Sequence, residues 1–395
     1  MKPVLAPVLP PDRLFPPGVA YAARPDPEDV VLVGLEAWNC ETVTGLMLGA
    51  LNGRTTIRHR SVAHPDALAL IGEAGLPIAE RMHLYDTPEE FERIARGIRD
   101  GGLRLAGPYP LPARIASDDG LLVPDALWRR LNDKARLAEL VSARYLAPRR
   151  FATLDALRAT PPTHPVFLKV FGPVATGTGH AVHPVETPSA LAAALDNLAA
   201  QSPGDIVLVE DAVAVERCYC VHFAVTDDAV QMIGMAEQRF AEPARQSGSR
   251  ITGRAGVPPA LAAIAREAAD RAARLGFRGV AALDIGVRPG ADPIVFDPNF
   301  RINFSTQQVL FHDAIADRSG NALTESFVAS SAHPIERTLR RLRPFVEEGA
   351  FVPFRCVDRR ALEALPSPTH VLGVVSGRDP QDAEDVATAL RSALS

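Results

Sequence analysis

The sequence predicts an α/β fold, and two observations carry this expectation. Short apolar runs suited to buried strands alternate with stretches of helical spacing, first over roughly residues 28–125 and again from Val166 to about Ala329. The chain also has 395 residues, 47% of them hydrophobic and 23% charged, an ordinary globular composition. At ~100–200 residues per domain such a length holds two or three domains. The expected division is an N-terminal α/β domain over 1–125, a first lobe over 126–215, a second over 216–333 and a small α/β extension over 334–395.

The elements follow in order. Val30 to Gly34 reads as a buried strand, and Thr42 to Leu51 as a helix stopped by the Asn52-Gly53 turn signal. Thr56 to Arg60 is a candidate strand, with helices over Pro65–Ala74 and Pro88–Arg99. The second helix opens with Pro and two acids in its first turn, a good start signal. There is no G-x-G-x-x-G, so this domain is not read as a dinucleotide site. Leu131 to Tyr145 is a basic helical segment, and the proline-rich run Pro148 to Pro165 reads as a linker or rim. Pro258 to Leu275 is the clearest helix, with Leu261, Ile264, Ala265, Ala268 and Ala272 at helical spacing and Gly276 at its stop. The tail offers an Arg-rich helix from Pro334, a Pro/Phe-rich stretch, the strand His370–Val375 and the helix Pro380–Leu394.

Composition narrows the function. A net charge of -5 and a pI near 6.1 give no general nucleic-acid binder. No run approaches the ~20 apolar residues of a membrane span, and Met1 to Pro17 lacks the apolar core of a signal peptide. A cytoplasmic protein is expected. Cys40, Cys218, Cys220 and Cys356 form no second pair or His cluster that would complete a zinc site, and read as buried thiols.

The chemistry concentrates in Ala282-Leu283-Asp284 and Val295-Phe296-Asp297-Pro298-Asn299-Phe300-Arg301. Asp297 and Asn299 share one face of an extended strand, because side chains there alternate. Asp284 joins them if its strand pairs with theirs. Two carboxylates and an amide oxygen are hard ligands suited to Mg²⁺ that keeps waters and bridges nucleotide phosphates. Arg301 can fork onto a carboxylate or phosphate. Asp, Asn and Pro at strand ends are also ordinary turn formers, and that reading stands beside the metal one.

Upstream, the strand Phe167–Val170 carries Lys169 into a Gly- and Thr-rich loop over Gly172 to His180. Such a loop either offers N–H groups to phosphates or is a plain turn. It is not a Walker loop, which needs G-K-[ST] opening a helix. Ile206 to Val213 is a strand running into Glu210 and Asp211, with Glu216 six residues beyond Glu210. These acids read either as partners of an adenine amino group and ribose hydroxyls or as solubilising edge charges.

Taken in order (Lys, Gly-rich flap, acidic edge, carboxylate, then carboxylate-x-Asn-x-Arg), the chain from Leu131 to Phe311 resembles the ATP-grasp superfamily. The resemblance implies an N-terminal pre-ATP-grasp α/β domain followed by a two-lobed α+β clamp that closes on ATP. It implies Lys134 and Lys169 on the phosphates, and Gly177 and Gly179 in the loop covering them. Glu210, Asp211 and Val213 would face the adenine and Glu216 the ribose. Asp284, Asp297 and Asn299 would hold Mg²⁺ or Mn²⁺, with Arg301 at the γ-phosphate and substrate carboxylate. This chain carries Asp where many members carry Glu at the metal, and its Pro stands at 298 rather than between Asn299 and Arg301.

The family's reaction activates a carboxylate as an acyl phosphate, releases ADP, and lets an amine displace phosphate. An amino acid or peptide ligase with small-molecule carboxylate and amine substrates is therefore expected, with homodimerisation open and Arg239 and Arg250 as candidate partners of a substrate carboxylate. A carboxylase-type or purine-pathway enzyme and a non-catalytic ATP sensor are the alternatives. Neither a membrane nor a nucleic acid is an expected partner.

Overall fold

The computed structural model describes residues 4–28, 37–172, 180–201, 204–362 and 368–395. Strands Val19–Ala22 (β1), Thr55–His59 (β2), Arg81–Tyr85 (β3) and Arg104–Ala106 (β4) form a parallel sheet in the order β3-β2-β1-β4. Parallel neighbours need crossovers, and the helices Pro65–Glu73 and Pro88–Asp100 supply two. The latter is capped on both sides: the Thr87 hydroxyl accepts from Glu90 N at 3.3 Å, and the Glu90 carboxylate accepts from Asp86 N at 2.8 Å.

Two expectations for this domain change. The helix read over Thr42–Leu51 ends at Val43, because Met47 and Gly49 hold positive φ of 65° and 76° and turn the chain instead. The strand β1 escaped prediction, being four buried residues without periodicity. The strand expected over Val30 to Gly34 lies outside the described residues.

A second sheet, antiparallel throughout, joins Arg149–Thr153 (β5), Val166–Lys169 (β6), Val182–Val185 (β7) and Ile206–Asp211 (β8) in the order β5-β8-β6-β7. The proline-rich run is thus no bare linker: it contains β5 and the helix Leu154–Ala159, capped by the Thr153 hydroxyl on Ala156 N. The strands β6 and β7 pair as a hairpin, whose loop residues Gly177 and Gly179 lie outside the described residues. The expected basic helix over Leu131–Tyr145 is instead the end of a helix, Asp125–Leu131, and two 3₁₀ turns.

The third sheet has eight strands: Arg217–Val225 (β9), Val230–Glu242 (β10), Arg245–Thr252 (β11), Gly279–Val287 (β12), Ile294–Asn299 (β13), Leu323–Ser331 (β14), Phe351–Asp358 (β15) and Thr369–Gly377 (β16). Their order is β13-β12-β9-β10-β11-β14-β16-β15. The helix Pro259–Arg274 covers one face through the predicted residues Leu261, Ile264, Ala265, Ala268 and Ala272, all buried. Beneath it Phe300 meets Phe223 and Phe277 edge-on, at ring separations of 5.9 and 5.0 Å. The C-terminal strands β15 and β16 continue this sheet through β14. Among the described residues no helix is long and apolar enough to cross a membrane.

Candidate active site

The pairing of β12 with β13 sets Asp284 directly opposite Asp297 and Ala282 opposite Asn299. Period two then puts all three predicted metal-ligand side chains on one face. The Oδ1 atom of Asp284 is buried and has no hydrogen-bond partner. Burial, with the facing Asp297 charge second, pushes the Asp284 carboxyl up to about 6. Two facing carboxylates with an orphaned oxygen are costly for a bare fold and suited to a cation. Among the described residues no cluster of three His, Cys, Asp or Glu completes a metal site. Mg²⁺ commonly takes one or two carboxylates and leaves its remaining positions to water and phosphate, a donor set that the Asp284/Asp297 pair with Asn299 matches.

Two lysines reach the same region from different elements. Lys134 Nζ, from the first 3₁₀ turn, lies 3.0 Å from Asp297 Oδ1 and is 4% exposed. Asn132 fixes that turn to the strand by accepting from Phe300 N at 2.9 Å. Lys169, at the end of β6, ion-pairs with Glu210 and donates to the Phe296 carbonyl at 3.4 Å, tying the four-stranded sheet to the eight-stranded one. Burial pulls the Lys169 pKa down, and Glu210 opposes the shift. The other Glu210 oxygen accepts from Arg149 Nη2 at 2.6 Å. Sequence reading missed Arg149, because its partner lies 61 residues away and Arg149 itself sits on a strand hidden in the proline-rich run.

These groups line a cavity of about 680 Å³ between the sheets. Lys134, Lys169, Glu210, Val213, Asp284, Asp297, Asn299 and Arg301 all reach its wall. The guanidinium of Arg301 sits 5.2 Å from the ring centroid of Tyr109, a residue of the N-terminal domain.

Four expected site residues are not on that wall. Arg239 is exposed, while its neighbours Gln238 and Phe240 line the cavity, since alternation along β10 sends it to the other face. Arg250 faces away in the same manner and pairs with Glu325 at 2.6 Å, while the adjoining Ser249 lines the cavity. Asp211 pairs with His164 at 2.9 Å outside it, and Glu216 is exposed at the start of β9. The period-two rule applied to Gln238 and Arg239 was the signal available in the sequence.

A cavity between an antiparallel flap sheet and a larger sheet, with lysines on both sides and paired acids on one wall, defines the ATP-grasp class. Family models agree. The N-terminal domain model of L-aspartate–L-methionine ligase matches residues 11–129, and the ATP-grasp model of the same ligase matches residues 148–299, together more than half of the chain. The chain belongs to the L-aspartate–L-methionine ligase family of ATP-grasp enzymes. Similar solved structures share the fold. N5-carboxyaminoimidazole ribonucleotide synthetase in an ADP complex has a TM-score of 0.57 at 12% identity, over 96% of this chain and 97% of that one. The ATP complex of carboxyaminoimidazole ribonucleotide synthase from Aspergillus clavatus gives 0.54 at 13%, over 95% and 97%. An L-amino acid ligase from Bacillus licheniformis gives 0.51 at 13%, over 95% and 96%. The activity is that of an ADP-forming carboxylate–amine ligase that uses ATP, and the carboxylase and sensor alternatives are not favoured.

Proposed function

We propose that this enzyme joins L-aspartate to L-methionine through an aspartyl phosphate. The observation that carries the reading is the convergence of Lys134, Lys169, Arg301 and the Asp284/Asp297/Asn299 face on one cavity in a chain of this family. A carboxylate oxygen of aspartate attacks the γ-phosphorus of ATP, and the bond to the β-γ bridging oxygen breaks, releasing ADP. The amine of methionine then attacks the acyl carbon, loses a proton, and expels inorganic phosphate as the C–N bond forms. Such phosphoryl transfer rests on positioning and charge neutralisation, with no nucleophilic side chain required.

In this reading Lys169 and Lys134 bind the phosphates. Each is held ready in a buried ion pair, with Glu210 and Asp297 respectively. Arg301, aligned by the Tyr109 ring, faces the γ-phosphate and the reacting carboxylate. Asp284, Asp297 and Asn299 would hold Mg²⁺ or Mn²⁺, which supplies charge neutralisation on the phosphate oxygens when bound. Val213, on the cavity wall, would face the adenine, while Glu210 is engaged by Lys169 and Arg149. Gly177 and Gly179 would cover the phosphates. The four-part division at 125, 215 and 333 and a cytoplasmic location belong to the same proposal; four free cysteines suit a reducing compartment.

The test is ADP release with MgATP and all pairs of proteinogenic amino acids, with the dipeptide identified by mass. Aspartyl-methionine formed with matching ADP supports the reading. Robust turnover with a different pair, and none with this one, overturns the substrate assignment.

A further inference from the structure

Strands β15 and β16 lie beyond the residues matched by the family models, yet they form part of the cavity wall with Phe354, Arg355, His370 and Leu372. Arg355 is 4% exposed. The pairing of β15 with β16 slips between Pro353 and Arg355, and such a bulge re-aims the side chain that follows it. The N-terminal domain leaves room for the stem at Gly45, where a Cβ would collide with Arg355 Cδ and come within 3.0 Å of Cγ.

The guanidinium has five donors, and its one hydrogen bond to the described residues runs from Nη1 to the Thr42 carbonyl. Among the described residues no carboxylate lies within ion-pair distance of Arg355. The contrast with Arg58 is direct: it too is buried, and Glu80 meets it at 2.6 Å. Burial draws the Arg355 pKa down to about 10, which leaves it charged at neutral pH. An enclosed charge with no counterion among the described residues is costly, and here it borders a cavity rather than packed protein. The wall beside it includes the apolar side chains of Val328, Phe354 and Leu372.

We propose that Arg355 binds the unreacted α-carboxylate of the amine-donating amino acid, whose apolar side chain rests on Val328, Phe354 and Leu372. The inference rests on the ligase reading above. The donor's reacting carboxylate belongs at the phosphates with Arg301. A second donor carboxylate gains nothing from phenyl and leucyl walls. The acceptor alone combines a free carboxylate with an apolar side chain, and the tail thereby sets acceptor specificity.

The experiment compares the intact enzyme with Arg355→Met, varying L-methionine at saturating MgATP and L-aspartate. Loss of a charged hydrogen-bond donor raises the KM for methionine by about 10- to 100-fold, while the KM values for ATP and aspartate move far less. The unaltered enzyme supplies a second readout that needs no variant to fold: L-methioninamide, which lacks the carboxylate, is a poorer acceptor than L-methionine by a similar factor. An unchanged methionine KM in the variant, a rise confined to aspartate, or equal use of the amide by the unaltered enzyme overturns the assignment. Absence of ADP release from the unaltered enzyme with any amino acid pair overturns the ligase reading itself.

Discussion

Replacing Asp284 by Asn should stabilise the free protein and abolish its turnover, two effects of opposite sign from one atom. In the fold the Asp284 carboxyl is pushed from 3.8 up to about 6, first by burial and then by the facing Asp297 charge. An acid with a raised folded pKa binds more protons folded than unfolded, so stability falls as pH rises from about 4 through about 6. Above that window the ionised group costs the fold about 3 kcal/mol. Asparagine is nearly isosteric and carries no charge. Part of the gain is offset by weakened hydrogen bonds to this position, leaving a net of about 1–2 kcal/mol. Thermal unfolding in EDTA at pH 8 should therefore show a higher Tm for Asp284→Asn, and the advantage should vanish near pH 4. The same variant should lose ADP release, because one of two acidic ligands is gone. A variant less stable than the parent at pH 8, or one with parental turnover, would refute the reasoning.

Other expectations follow from single contacts. Lys169→Met should raise the KM for ATP by about 10- to 100-fold, measured by steady-state ADP release, since a charged phosphate contact is lost; an unchanged ATP dependence would remove Lys169 from the site. Gly45→Ala should crowd the Arg355 stem and raise the methionine KM with little change for ATP, again by steady-state kinetics. Phe300→Ala should cost about 3–5 kcal/mol in urea unfolding, because its ring packs edge-on against Phe223 and Phe277 in a closed core. Burial holds His222 neutral, with its pKa lowered to about 4; a depressed folded pKa means that stability is lost as pH falls from 6.5 to about 4, by about 3 kcal/mol in total. His222→Asn should flatten that part of the stability–pH curve.

Legibility in the sequence tracked how local each cause was. The helix Pro259–Arg274 was plain because its buried residues repeat at helical spacing. The Asp297-x-Asn299 face was plain because alternation is a property of one strand, and only its partner Asp284 depended on an assumed pairing, which the register supplies. Arg239 and Arg250 were chosen for charge, and the strand period that carries them away from the cavity was the weightier cue. Residues whose roles come from distant partners were invisible. Arg149 meets Glu210 across 61 positions, and Tyr109 meets Arg301 from another domain. Arg355 sat in a Pro/Phe-rich stretch that showed no strand pattern, because both faces of β15 are buried and a bulge interrupts it.

The most direct measurement of the account follows oxygen. L-aspartate labelled with ¹⁸O in its carboxyl groups is turned over with MgATP and L-methionine, and the released phosphate is analysed by mass. An acyl phosphate carries one carboxylate oxygen into the phosphate, so one ¹⁸O per phosphate is predicted. Unlabelled phosphate formed alongside the dipeptide would contradict carboxylate activation and with it the assigned roles of Lys134, Lys169 and Arg301.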